Sequence, residues 1–84
     1  MTTLQDYLNQ KYPTQQDKET VLDLNLEKIN QEREEHGETE LLEGGELDLT
    51  AFKNLAEIEI YRHFIKTPIT KLNVSGLTNL KTLI

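Results

Sequence analysis

The chain has 84 residues and a mass of 9.7 kDa, with 36% hydrophobic and 29% charged residues and a mean hydropathy of −0.60; that is one small domain or a piece of a larger one. There is no Cys and no apolar run approaching the ~20 residues of a membrane span, which excludes disulfide scaffolds and Cys-ligated zinc and leaves no membrane partner to expect. A net charge of −6 and a pI near 4.8 argue against nucleic acid, whose phosphates call for Lys and Arg.

Residues 2–11 read as a helix, with Thr2 as the cap and Gln5 completing a capping box. Leu4, Tyr7 and Leu8 fall at i, i+3 and i+4 and form one apolar stripe. Pro13 ends the pattern, and the polar stretch 14–19 reads as a loop or a single turn. No basic, then apolar, leader precedes this segment, which with the missing Cys points to the cytoplasm. Residues 20–24 are β-prone, with Leu22 and Leu24 alternating about Asp23. Residues 26–36 are rich in helix formers but offer only Leu26 and Ile29 to bury, so a surface helix or long loop is expected, stopped by Gly37. An acidic loop then runs to Gly44 and Gly45, more plausibly a turn than a phosphate cradle.

An internal repeat follows. Residues 46–58 (ELDLTAFKNLAEI) lie over residues 71–83 (KLNVSGLTNLKTL) at a constant offset of 25. Leu47 matches Leu72, Leu49 Val74, Phe52 Leu77, Leu55 Leu80 and Ile58 Leu83, and Asn54 matches Asn79. The same offset reaches back from Leu47 and Leu49 to Leu22 and Leu24. Alternating positions followed by a three-residue step describe an extended arm and a tight turn. Such a unit points its large apolar residues to one interior, and only stacking against the next unit buries them. The chain breaks off within the segment matching Ile58 and Glu59, at Leu83 and Ile84; this suggests either the amino-terminal portion of a longer repeat protein or an edge covered by another chain.

These residues resemble a leucine-rich repeat. Leu55, Ile58, Ile60, His63 and Ile65, then Leu72, Val74, Leu77 and Leu80, follow the family's spacing, with three extra residues between Ile65 and Leu72. Residues 42–55 (LEGGELDLTAFKNL) look like the opening coil of such proteins, and the segment containing Tyr7, Tyr12 and Pro13 looks like the cap before it. His63 departs from the family, standing where an Asn usually ties coils together. The resemblance implies an α+β leucine-rich-repeat solenoid fragment with an amino-terminal capping helix and short parallel strands. Residues 1–19 would be the cap and loop, and residues 20–84 the repeats, with an acidic insertion at about 26–43.

Function follows from the expected strand face. Glu57 and Glu59 alternate with Ile58 and Ile60 and face outward; Tyr61 and Arg62 lie just beyond, and Lys81 is expected above Ala56 in the next coil. In the family this face is the contact surface, which implies a non-catalytic protein–protein interaction module with Glu57, Glu59, Tyr61, Arg62 and Lys81 as partner-binding residues. The alternative is a structural cap or self-association unit, since all fifteen acids lie within residues 1–59 and residues 60–84 carry four bases and no acid. No P-loop, G-x-S-x-G or Cys nucleophile suggests an enzyme. Glu32 and His36 share a helical face at i, i+4 but lack the third ligand that zinc needs, so no metal or cofactor is expected.

Overall fold

The computed structural model describes residues 2–83; Met1 and Ile84, and with Ile84 its match to Glu59, lie outside the described residues. In chain order the elements are α1 (Leu4–Lys11), α2 (Gln15–Glu19), β1 (Asp23–Asn25), α3 (Leu26–Glu35), β2 (Gly45–Asp48), β3 (Glu57–Glu59), a 3₁₀ turn (Arg62–Phe64), β4 (Ile69–Asn73) and β5 (Thr82–Leu83). The strands are short and all pair in parallel, in two ladders ordered β1-β3-β5 and β2-β4. This is a small mixed helix-and-strand domain.

The 25-residue offset is the register of both ladders from residue 46 onward, after a shift at Gly45, which pairs with Ile69. Leu47 pairs with Leu72 and Ile58 with Leu83. The turns between them repeat too. Phe52 N–H donates to Leu49 O and Leu55 N–H to Phe52 O; Leu77 N–H donates to Val74 O and Leu80 N–H to Leu77 O. Asp48 Oδ1 accepts from Thr50 N–H at 2.9 Å, and Asn73 Oδ1 from Ser75 N–H at 3.1 Å. Asp and Asn are suited to this local acceptor role, so both turns start on the same chemistry.

The core lies between the ladders. Leu47, Leu49, Phe52, Leu55 and Ile58 are all buried, joined by Leu4 and Leu8 from α1 and Leu42 from the preceding loop. Tyr12 meets the Phe52 ring edge-on at 6.0 Å between centroids.

The amino-terminal part departs from expectation at the start of α1 and in the pairing of β1. The cap of α1 is Thr3, whose side chain accepts from Asp6 N–H, while Gln5 Oε1 reaches across to Asp48 N–H at 2.7 Å. Residues 15–19 form a capped helical turn, with Thr14 Oγ1 accepting from Asp17 N–H. Leu24 pairs with Ile58 and not with Leu49, and Leu22 is 62% exposed. The offset there is 34 because α3 is inserted after β1.

Residues 26–35 are also more than a surface helix, since α3 buries Leu26, Ile29, Asn30 and Arg33. Asn30 Nδ2 donates to Phe64 O at 2.9 Å, and Arg33 Nη1 donates to Glu40 O. Arg33 Nε sits 3.3 Å from Glu38 Oε2, an ion-pair distance without hydrogen-bond alignment. Gly37, at φ +82°, ends α3 as expected: Gly37 N–H bonds Glu34 O and Glu38 N–H bonds Arg33 O.

At Gly44 the segments leading into β2 and β4 pack backbone to backbone. A Cβ there would lie 2.4 Å from the Thr67 carbonyl oxygen and 2.6 Å from that of Pro68. Both are backbone atoms just before β4, and Pro68 O is already held by Gly45 N–H, so a methyl group forces the segments apart. Gly44→Ala is expected to cost roughly 3 kcal/mol in urea unfolding, more than Gly37→Ala at about 1–2 kcal/mol, where only backbone conformation is at stake.

Hydrogen bonds from the Thr50 hydroxyl and then its N–H hold the Asp48 carboxyl below its ordinary range. A pKa depressed by folding contributes stability above the unfolded value of about 3.9, and that stability is lost as pH falls through the lowered value. Unfolding midpoints measured between about pH 6 and pH 2 should therefore fall less for Asp48→Asn than for the parent chain.

Candidate functional site

Three strands present one open face in the β1-β3-β5 ladder. Leu24 and Ile58 point into the core, so their neighbours Asp23, Asn25, Glu57 and Glu59 point away from it. The register sets Asp23 beside Glu57 and Asn25 beside Glu59, with Thr82 beside Glu57 on the other side. Two carboxylates are thus neighbours across the ladder, where like charges oppose pairing. Lys28 Nζ approaches Asp23 Oδ2 at only 3.5 Å and is mostly exposed, so it offsets little of this.

Asn25 ties the face to α3. Its Oδ1 accepts from Glu27 and Lys28 N–H and caps the helix, while its Nδ2 donates to Glu59 Oε2 at 2.8 Å. An amide suits this place because it accepts on one side and donates on the other. Neither Asn25 nor Asp23 is visible as a site residue from the repeat, because their offset to Glu59 and Glu57 is 34 and not 25.

Among the residues expected from sequence, Glu57 and Glu59 share this face, Glu57 exposed and Glu59 partly covered by Asn25. Lys81 does lie against Ala56, its N–H bonding Ala56 O at 2.8 Å, which puts it at the start of β3. Tyr61 and Arg62 lie at the other end, up to about 17 Å away by strand rise. Tyr61 is half-buried in an aromatic cluster, with its ring centroid 6.0 Å from that of His63 and 6.2 Å from that of Phe64. His63 is exposed and rests on Phe64 at 4.1 Å. Beside it, the Phe64 carbonyl is bonded by Asn30 of α3.

A separate cleft of about 360 Å³ is lined by α1 and α3 with Tyr7, Lys11, Glu32, Arg33 and His36. Lys11 is engaged by Glu32, and Arg33 by Glu38, so both cations are matched by carboxylates. Burial raises the Tyr7 pKa above its ordinary value, against the lowering influence of Lys11. Burial opposes the charge on Lys11, but the hydrogen bond to Glu32, together with the charges of Tyr12, Tyr7 and Glu32, outweighs it and raises that pKa. His36 Nδ1 lies 2.9 Å from the Glu32 carbonyl. Among the described residues no three His, Cys, Asp or Glu side chains are grouped to hold a metal ion, and no helix is long and apolar enough to cross a membrane.

The chain matches no family model, no curated protein and no solved structure.

Asn25→Ala is expected to lower stability by about 1 kcal/mol through the lost cap. Asn25→Asp keeps an acceptor for α3 but sets a fourth carboxylate on this face, directly beside Glu59. Its deficit should appear near pH 7 and shrink as the pH falls below about 4, read as unfolding midpoints across that range.

Proposed function

We propose that this chain is a non-catalytic protein-binding module built as a short leucine-rich-repeat solenoid, with the face of β1, β3 and β5 as its contact surface. The observation that carries the reading is the in-register placement of Asp23 and Glu57 with Glu59 on one exposed strand face. Like charges held side by side weaken the free ladder and are relieved when a cationic partner arrives. The face therefore selects a protein that presents Lys or Arg, and it repels nucleic acid.

Size supports a protein over a small molecule. Three strands span roughly 10 Å. A specific protein contact covers about 800 Å² per partner and must extend past them. Tyr61 and Arg62 at one end and Lys81 at the other continue the surface, and Tyr and Arg are residue types enriched where binding energy concentrates. The role requires no cofactor, and the acidic side chains serve recognition and not acid–base chemistry.

The test is capture of a Lys-rich or Arg-rich protein on the immobilised chain. Glu57→Lys with Glu59→Lys is expected to reduce capture at least tenfold, and raising salt from about 0.05 to 0.5 M should weaken the parent in the same direction. The matched control is Glu46→Lys, an acid on the other ladder, which should leave capture unchanged. Equal capture by the parent and the double variant rejects this face.

A further inference from the structure

We infer that the edge formed by β4 and β5, open among the described residues, is a docking site for an acidic, apolar-alternating polypeptide segment that adds a further strand to both ladders. The inference stands apart from the acidic face: it concerns the backbone edge of the last two strands and seeks a partner of opposite charge.

The first support is a comparison of equivalent positions within the molecule. Leu47, Leu49, Leu55 and Ile58 are fully or almost fully buried, whereas Leu72, Val74 and Leu80 are half-buried and Leu83 is 53% exposed; only the pair at the turn, Phe52 and Leu77, is buried in both. The sequence pattern is the same; what differs is that residues 47–58 have a neighbouring segment on their outer side. The backbone tells the same story. Leu22 O accepts from both Ala56 and Glu57 N–H, and Ala56 O accepts from both Lys81 and Thr82 N–H. The next carbonyl in that column is Lys81 O, at a sheet edge that offers the same groups to another strand.

Charge chooses the occupant. Residues 60–84 hold four bases and no acid. Lys71 lies on edge strand β4 in register with Glu46 of β2, and both Lys71 and Lys81 are exposed. A carboxylate on the incoming strand beside Lys71 continues this alternation, while a base there is repelled.

A second copy of the chain fits less well in either orientation. Head to tail, it must offer the outer side of its own β2, but there α1 already holds the backbone: Leu4 N–H bonds Glu43 O, and Gln5 takes Asp48 N–H. Edge to edge, each copy brings Lys71 and Lys81 against a basic edge, the arrangement by which lysines block pairing between edges.

The chain's own repeat supplies matched probes. A peptide of residues 44–60 has the apolar spacing with four carboxylates and one lysine; a peptide of residues 69–83 has similar spacing with two lysines and no acid. Each is titrated into the full chain, with amide hydrogen exchange read residue by residue. The 44–60 peptide is expected to slow exchange across residues 71–83, to bind at least tenfold tighter than the 69–83 peptide, and to lose affinity as salt rises. Lys71→Glu, which leaves the proposed acidic face intact, should narrow the preference at least threefold. Equal affinity for the two peptides overturns the charge assignment. Protection at residues 23–25 or 57–59 in place of 71–83 overturns the location. Protection of residues 71–83 by self-association without peptide, seen as a concentration-dependent mass in sedimentation, makes a second copy the occupant and also overturns the proposal.

Discussion

Parallel pairing of segments 25 residues apart is the constraint on which the remaining structure rests. In a parallel ladder, equal steps along both strands keep equivalent positions side by side. Leu47 therefore meets Leu72 and Ile58 meets Leu83, and the apolar positions of successive segments superpose with no adjustment. A slip of one residue would turn each of them outward. Gly44 protects this register from the side: its missing side chain admits the Thr67 and Pro68 carbonyls, and Gly44 N–H adds a bond to Thr67 Oγ1 at 2.9 Å. The acidic face follows from the same alternation, since fixing Leu24 and Ile58 inward fixes Asp23, Asn25, Glu57 and Glu59 outward.

Charge divides the molecule into surfaces of different sign. The face of β1 and β3 is acidic, and the edge of β4 and β5 carries Lys71 and Lys81. Lys66 and Glu40 form an ion pair at the surface, which lowers the Glu40 pKa and raises that of Lys66. Arg33 and Asn30 act beneath this surface: α3 is held to the Glu40 and Phe64 carbonyls by polar side chains, where a leucine would have given contact without direction.

The part of the fold legible in the sequence is the part written as repetition. Residues 46–58 and 71–83 declare their own register, and Gly37 declares the end of α3, because both signals are local or exact in spacing. The rest is hidden for identifiable reasons. Thr2 and Thr3 are equally good caps, and Gln5 serves Asp48 and not the helix start. The inward side of α3 includes Asn30 and Arg33, so its apolar period is broken and the helix reads as surface. That helix also shifts β1 out of the 25-residue frame, which moved Leu22 outside and concealed Asp23 and Asn25 as companions of Glu57 and Glu59. Glu57 and Glu59 themselves were readable, since strand alternation alone turns them outward.

The docking of α1 carries a consequence for how the molecule can open. Its named partners, Glu32, Glu43, Asp48 and, through Tyr12, Phe52, all precede β4 in the chain. Those contacts owe nothing to β4 or β5, so fraying of the last two strands need not loosen the end that α1 closes.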